Sequence, residues 1–386
     1  MTRIYLDANA TTPVAPEVLE AMLPYFGVRG GNPSAAHAAG QHARSAVERA
    51  RAQVAGMLNA TAKEIVFTSG GTESDNLALR GVLEPFLERG EAAHLVTTQM
   101  EHHAVLYCAE ALEKRGVAVT YVKPQANGVV DADEVAAAIR PETKLLSVML
   151  ANNETGAVQP VGKIARLAKE RGVLVHTDAV QAAGKLPLDM AGEFKNVDLL
   201  AISGHKLYAP QGVGVLFARK GVQLAAMQHG GPQERQRRAG TENVPGIVGM
   251  GKAAEMAAAW LAGDAAQTLA ALRDKLEQGI AGGLAGVSVN AAEARRVANT
   301  TNLRIAGVDA ESLLIALDMQ GVAASFGSAC MSGATEPSHV LMAMGLAAKE
   351  ARGSLRLSLT KYATEAEVEE AVRVVVEAVT RLRTLG

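Results

Sequence analysis

The sequence has little that would suggest a secreted, membrane-embedded or nucleic-acid-binding protein. Of its 386 residues only two are cysteines, Cys108 and Cys330, which is too few for a disulfide framework. No apolar run is long enough to span a bilayer, and the first residues contain no signal-peptide core. The net charge is -2, so broad attraction to nucleic acid or anionic membranes is not expected. We therefore expect a cytoplasmic protein with two free thiols.

The chain also lacks internal repeats and a G-x-G-x-x-G motif after a strand, so a dinucleotide site has little support. Its length exceeds what one hydrophobic core usually organises, which predicts two domains. Hydrophobic residues make up 48% and charged residues 20%, as in a typical globular protein.

Short, continuous apolar runs recur through the first 220 residues, and amphipathic helical patterns separate most of them. Unbroken apolar runs indicate strands that are buried on both faces. The alternation predicts an α/β fold with a mostly parallel, seven-stranded sheet covered by helices. The predicted strands cover residues 65–68, 95–97, 117–122, 145–150, 173–176, 199–202 and 213–217.

The pattern changes near Gly251, where Ala/Leu-rich helices begin. The following strand candidates at 287–290, 300–305 and 355–359, together with helices at 311–319 and 365–382, predict a smaller α+β domain. We predict a large domain over 14–250, and a small domain made of 1–13 and 251–386 that carries Cys330.

A candidate anion site follows the first predicted strand of the sheet. In Ser69-Gly70-Gly71-Thr72-Glu73-Ser74, two glycines let the backbone approach a ligand, and the following helix start offers free N–H groups. Thr72 adds a hydroxyl group at the same place. Taken alone, this pattern favours an ordinary strand-to-helix turn with a Ser/Thr cap over an anion site, so further residues must decide.

Two charged residues come at the ends of later predicted strands. Asp178 ends one strand, Gln181 follows it, and Lys206 follows the next strand in Ser203-Gly204-His205-Lys206. Carboxyl ends of parallel strands bind ligands. A desolvated lysine there can form a Schiff base, and an aspartate can pair with a pyridinium nitrogen. The alternative is a surface lysine and a capping aspartate, but together with Thr72 the order favours a cofactor site.

The motifs taken together resemble the cysteine desulfurases (NifS/IscS-like), which are class V aminotransferases of the fold-type I pyridoxal-phosphate enzymes. The resemblance runs nearly end to end. It rests on the glycine turn and the lysine motif above and on further segments: Leu6-Asp7-Ala8-Asn9-Ala10-Thr11-Thr12, Gly31-Asn32-Pro33-Ser34, Glu101-His102, Asn152-Asn153-Glu154, Asp178-Ala179-Val180-Gln181 and Gly327-Ser328-Ala329-Cys330.

The resemblance implies a site for pyridoxal 5'-phosphate. Lys206 resembles the lysine that binds the cofactor covalently, His102 the histidine stacked on its ring, and Asp178 the partner of its nitrogen. The remaining residues implied to contact the cofactor are Gln181 and Asn153 near the ring and Gly71, Thr72, Ser203, His205 and Thr241 at the phosphate. Thr241 resembles a ligand donated by the other subunit, which implies a homodimer with a shared active site.

The resemblance also implies the substrate and the reaction. Arg356 is similar to the arginine that binds the carboxylate of L-cysteine, with Asn32 and Asn153 beside the substrate. The resemblance assigns proton transfer to Lys206, with His102 as the candidate for a second acid/base role, and it makes Cys330 the acceptor of the sulfur as a persulfide, which leaves alanine. It further implies a protein acceptor, an iron-sulfur scaffold or another sulfurtransferase, that takes the sulfur from Cys330. The small residues around Cys330 suit an accessible thiol, whereas Cys108 lies in an apolar helical segment that indicates burial.

Two other functions remain open at this point. A related pyridoxal-phosphate enzyme, such as a selenocysteine lyase or an aminotransferase, would carry many of the same motifs. A catalytically inactive protein that only scaffolds a sulfur-transfer complex is the alternative from another class. The complete set of Lys206, Asp178, His102 and Cys330 argues against the scaffold.

Overall fold

The computed structural model describes residues 3–27, 30–327 and 337–385, so Cys330 lies outside the described residues. The strands are β1 (Ile4–Tyr5), β2 (Ile65–Thr68), β3 (His94–Thr98), β4 (Ala118–Val122), β5 (Thr143–Ser147), β6 (Leu174–Asp178), β7 (Leu199–Ser203), β8 (Gly214–Ala218), β9 (Val287–Val289), β10 (Thr300–Ile305), β11 (Val322–Ala323) and β12 (Ser354–Ser358). The helices are α1 (Pro16–Met22), α2 (Ala38–Met57), α3 (Gly71–Glu88), α4 (His103–Glu113), α5 (Ala132–Ala137), α6 (Val161–Lys169), α7 (Gln233–Gln236), α8 (Val244–Leu261), α9 (Ala265–Gly283), α10 (Ala310–Met319), α11 (His339–Ala343), α12 (Ala348–Arg352) and α13 (Glu365–Leu385).

The central sheet has seven strands in the order β2-β8-β7-β6-β5-β3-β4. β8 runs antiparallel to β7 and β2, and the other pairings are parallel. The predicted mostly parallel, seven-stranded α/β sheet is therefore confirmed. The apolar run at 145–150 outlasts β5 because Val148, Met149 and Leu150 stay buried after the strand ends at Ser147.

The topology brings distant parts of the chain to one edge of the sheet. β2 is antiparallel to β8, which is itself antiparallel to β7, so β2 points the same way as β3, β5, β6 and β7. The carboxyl ends of these five strands therefore share one edge, which is where α/β sheets bind ligands. The segments that follow them carry the charged and polar residues of the candidate site.

A second core lies around an antiparallel sheet of order β12-β10-β9. Leu276 of α9, Leu317 of α10 and Val375 of α13 are buried against it. Helix α8 crosses the predicted domain boundary at residue 250, and its Ile247 and Ala257 both belong to the first core. The division into domains over 14–250 and over 1–13 with 251–386 stays a prediction.

None of the helices in the described ranges is both long and apolar enough to cross a membrane.

Candidate active site

A cavity of about 210 Å³ opens at the carboxyl edge of the sheet. Its walls come from the segments after β2, β3, β5, β6 and β7, together with the chain between β1 and α1 and with β12. The sequence-predicted residues that line it are Gly71, Thr72, His102, Asn153, Asp178, Gln181, Ser203, His205, Lys206 and Arg356. Residues far apart in the chain therefore converge on one space, as expected if they serve one ligand.

One end of the cavity is suited to an anion. Gly71 is the first residue of α3, an 18-residue helix, so the positive end of the helix dipole and free N–H groups face the cavity. A Cβ atom at Gly71 would lie 2.7 Å from Val180 Cγ2, so only glycine fits there without movement of its neighbours. Ser203 and His205 line the same cavity from the end of β7.

Buried carboxyl groups lie at the ends of β6 and β3 and on α3. Burial raises the pKa of Asp178 to about 6, and it raises the pKa of Glu101 to about 8. Burial and the nearby Asp178 and Glu101 also raise the pKa of Asp75. These groups cannot all be ionised at neutral pH. Asp178 accepts a hydrogen bond from the Val180 N–H at 2.8 Å, as Glu101 does from the Met149 N–H at 2.9 Å, and Asp178 is in addition stabilised by the nearby Lys206. Asp178 is therefore best suited to pair with a cationic group in the cavity.

His102 caps the amino end of α4 and also faces the cavity. Its Nδ1 atom accepts a hydrogen bond from the Ala104 N–H at 3.1 Å, which leaves the ring proton on Nε2. Burial, Lys206 and His339 lower the pKa of His102 to about 4. The ring is therefore neutral at neutral pH, able to pack flat on an aromatic ligand and to donate one hydrogen bond.

Lys206 reaches the chain segment that crosses the cavity between β1 and α1. Its Nζ atom donates to the main-chain oxygens of Asn9 at 2.6 Å and Ala10 at 2.5 Å. The same segment is held by the Thr12 N–H, which donates to the His205 oxygen at 2.8 Å. The main-chain oxygens of Asn9 and Ala10 therefore set the direction of the Lys206 side chain. The turn that contains His205 and Lys206 in part holds these oxygens in place, through the hydrogen bond from Thr12.

Arg356 closes the other end of the cavity from β12. It is 1% exposed, and its Nη2 atom donates to Asp7 Oδ1 at 2.8 Å while Nη1 donates to the Asn153 oxygen at 3.1 Å. Its Nε atom is buried and has no hydrogen-bond partner in the described part of the chain. A carboxylate in the cavity would satisfy this remaining donor.

Other predicted site residues lie away from this cavity or outside the described residues. Asn32 is exposed, and its Oδ1 atom accepts a hydrogen bond from the Ser34 N–H at 2.9 Å. Thr241 is also exposed and does not line the cavity of its own chain. Cys108 is buried in α4, and burial raises the pKa of its thiol to about 12, as its apolar context indicates.

The sequence profile of the aminotransferase class-V family matches residues 4–371. The chain belongs to this family. A cysteine desulfurase from Trichormus azollae is 48% identical over 386 residues, which are 100% of this chain and 95% of the relative. A cysteine desulfurase IscS from Methanosarcina thermophila is 46% identical over 383 residues, 99% of this chain and 93% of the relative.

Solved structures of family members share the fold. A NifS-like protein superposes with a TM-score of 0.91 at 38% identity, covering 98% of this chain and 100% of the other. The structure of SspA in complex with cysteine superposes with a TM-score of 0.83 at 37% identity, covering 94% and 100%. The resemblance to the NifS/IscS-like enzymes that the motifs indicate is therefore confirmed, as is the fold-type I architecture.

Pyridoxal phosphate is the cofactor of this class-V aminotransferase family, and the cavity fits it. The helix start at Gly71 has the N–H groups that would hold a phosphate, and Asp178 would supply a carboxylate for a ring nitrogen. Lys206 would supply the amine for covalent attachment, and His102 would supply a flat neutral ring. The cofactor expected from the sequence is thus supported by the donor set of the site as well as by the family.

Some residues of the cavity carry no role in the sequence-based prediction. Asp75 lies on the inner face of α3, and Asn9 lies in the segment between β1 and α1. Asn9 Nδ2 donates to Thr300 Oγ1 at 2.9 Å and to the Asn153 oxygen at 3.1 Å, so it ties both cores together. The position of Asn9 in the family-like opening motif could have indicated that it belongs to the site, whereas nothing in the sequence distinguishes Asp75 from an ordinary helix residue.

Proposed function

We propose that the protein is a pyridoxal-phosphate-dependent cysteine desulfurase that transfers sulfur from L-cysteine to Cys330 and releases L-alanine. The observation that carries this proposal is the convergence of Lys206, Asp178, His102 and the guanidinium of Arg356 on one cavity. This set provides a covalent anchor, a ring partner and a carboxylate receptor for an amino-acid substrate. The relatives named cysteine desulfurase, which match nearly the whole chain, support the sulfur chemistry.

In the proposed reaction, different residues of the chain bind the substrate, transfer protons and hold the cofactor. The bound cofactor supplies an electron sink that activates the bonds at the substrate α-carbon. Arg356 holds the substrate carboxylate through donors that its present partners leave open. The Lys206 amine moves the proton at the α-carbon, and His102, whose neutral ring presents its Nε2–H to the same cavity, is the second group proposed to take part in proton transfer. Asp178 keeps the ring nitrogen protonated.

Cys330 is proposed to accept the sulfur. Its thiolate attacks the substrate sulfur, the carbon–sulfur bond of cysteine breaks, and a sulfur–sulfur bond forms on Cys330. The described residues that flank residues 328–336 contact a residue next to the cavity, which supports the proposal. Ser338 Oγ donates to Glu154 Oε2 at 2.5 Å, and a Cβ atom at Gly327 would lie 3.7 Å from the same oxygen. Glu154 directly follows the cavity residue Asn153.

A comparison of the two cysteines tests the sulfur step. Purified protein and the variants Cys330→Ala and Cys108→Ala are incubated with L-cysteine and a thiol reductant, and alanine and sulfide are measured. We expect Cys330→Ala to keep the cofactor absorbance and to lose alanine release. Cys108→Ala keeps both, because that thiol is buried with a pKa of about 12. Retained alanine release in Cys330→Ala would remove Cys330 from the mechanism.

The same assay separates the alternatives. An aminotransferase would form the keto acid instead of alanine, a selenocysteine lyase would turn over selenocysteine and leave cysteine unchanged, and an inactive scaffold would release no product from either. The reductant stands in for the protein acceptor, which we propose to be an iron-sulfur scaffold or another sulfurtransferase in the cytoplasm.

We further propose that the active enzyme is a homodimer with shared sites. Support comes from Thr241, which is exposed and does not reach the cavity of its own chain although its motif resembles that of a phosphate ligand. Mixing the inactive variant Lys206→Ala with Thr241→Ala tests this. Activity above that of either variant alone is expected, because each mixed dimer then holds one intact site. No gain on mixing, with dimer exchange verified, would contradict the shared site.

A further inference from the structure

A second lysine, Lys185, lies behind the cavity wall and has no role in the function proposed above. Its Nζ atom donates to Gln181 Oε1 at 2.7 Å and to Asn9 Oδ1 at 3.2 Å. Gln181 lines the cavity, and the main-chain oxygen of Asn9 accepts the hydrogen bond from Lys206 at 2.6 Å. Lys185 therefore contacts, from behind, two residues of the cavity wall, and one of them, Asn9, also accepts the hydrogen bond from Lys206.

The contacts of Lys185 help to determine how the two amides are turned, together with Asn299, whose Nδ2 atom donates to the same Asn9 Oδ1 atom at 3.1 Å. An ammonium group donates hydrogen bonds and accepts none, so the oxygen atoms of Gln181 and Asn9 must face it. The Gln181 Nε2 atom is consequently directed at the Asn9 main-chain oxygen, to which it donates at 3.0 Å. Its second N–H remains available, and Gln181 lines the cavity. In Asn9, the Nδ2 atom is likewise left to donate to Thr300 Oγ1.

The charge of Lys185 is not neutralised by an acidic partner. It forms no ion pair within the described ranges, and the charged groups that act on it are Lys206 and Arg356. Burial, together with these two cations, lowers the pKa of Lys185 to about 7. Lys361 and Tyr208 border the small cavity of about 30 Å³ that Lys185 and Lys206 share. A cation close to a second amine favours the unprotonated form of that amine.

We propose that Lys185 is a positioning residue for the cofactor site, which orients the Gln181 amide, braces Asn9 behind Lys206 and, in its charged form, favours the neutral amine of Lys206. This inference rests on the proposed function, since it takes Lys206 to be the residue that binds the cofactor. It assigns no contact with substrate or cofactor to Lys185 itself.

Three substitutions in the cofactor-loaded enzyme separate orientation from charge. Lys185→Met removes both the hydrogen bonds and the charge, Lys185→Gln keeps N–H donors without charge, and Lys185→Arg keeps donors and charge. Lys361→Met is the matched control, because Lys361 borders the same small cavity but contacts the rings of Tyr208 and Tyr362. The visible absorbance of the bound cofactor is titrated with pH, and the cofactor affinity of each apo-protein is measured.

We expect the midpoint of the absorbance titration to rise by about half a pH unit or more in Lys185→Met and Lys185→Gln. Lys185→Arg and Lys361→Met stay close to the wild-type midpoint. Cofactor affinity falls about tenfold in Lys185→Met, the size of one lost hydrogen-bond contact, and less in Lys185→Gln. If Lys185→Met does not fold, Lys185→Gln and Lys185→Arg still give the answer, because both are polar and differ in charge.

The inference is overturned if both neutral variants keep the wild-type midpoint, or if Lys185→Arg shifts it as far as they do. The proposed function fails in a different way. In that case the wild-type protein itself would show no visible band that depends on Lys206, whatever the residue at position 185.

Discussion

Replacing Arg356 by lysine should weaken the recognition of the substrate carboxylate while leaving the positive charge in place. In the structure the guanidinium group uses Nη2 for Asp7 and Nη1 for the Asn153 oxygen, and its buried Nε has no described partner. One ammonium group cannot hold Asp7 and also present planar donors to a second carboxylate. The variant therefore loses about one charge-assisted hydrogen bond to the substrate.

Such a bond contributes about 1.5–3 kcal/mol, which corresponds to a fall in kcat/KM of about 10- to 150-fold. Most of the change should appear as a higher KM, because the carboxylate is bound equally in the ground state and the transition state. The assay is alanine release against cysteine concentration, with cofactor absorbance and melting temperature as checks on the site and the fold. A kcat/KM within twofold of wild type, or a loss confined to kcat, would refute the assignment of Arg356 to the carboxylate.

Three further predictions follow from the site and its supports. Lys206→Ala should lose covalent cofactor attachment, so that borohydride reduction followed by mass spectrometry detects no cofactor on the chain; an unchanged label would place the anchor elsewhere. Because burial raises the pKa of Asp178 to about 6, its carboxylate is ionised above that pH, and cofactor affinity should fall as the pH drops below it. Asp178→Asn should have weaker affinity that no longer depends on pH in this range, and a retained dependence would assign it to another group. Glu234→Ala should destabilise the fold by about 3–5 kcal/mol in denaturant titration, since it leaves the buried Arg51 without its two 2.7 Å contacts. The exposed ion-pair control Glu377→Ala should lose less than about 1 kcal/mol, and equal losses would contradict this reasoning.

The sheet and the polar strand ends were predictable from local sequence. β6 and β7 are buried along almost their whole length, and so each begins as a short apolar run, which polar residues follow up to Asp178 in one case and up to Lys206 in the other. The glycine turn at Gly71 was predictable for a similar reason, because a strand, two glycines and a helix start follow each other directly. These features depend on neighbours in the chain, and the periodicity of the sequence reports on them.

The roles of His102 and Arg356 were not predictable from pattern alone. His102 reads as a helix-start residue, and Arg356 reads as a charge on a strand, until the fold brings both to one cavity. The family-like motifs were needed to nominate them. Lys185 and Asp75 escaped even that signal, since the contact of Lys185 with Asn9 and the proximity of Asp75 to Asp178 and Glu101 join residues that are remote in sequence.

By itself, the sequence determined the seven strands of the central sheet, where the chain turns at a ligand edge, and which residues carry reactive groups, but it did not indicate the short strands β1 and β11. Tertiary structure alone decided which of those groups meet. Asp7 and Arg356 are separated by 349 positions, and Lys206 and Asn9 by 197, yet each pair is in hydrogen-bond contact. The physical reason is that the periodicity of a sequence reports only on local structure, which depends on neighbours in the chain. Burial, hydrogen bonds between distant residues and shifted pKa values arise only when separate segments pack together and exclude water.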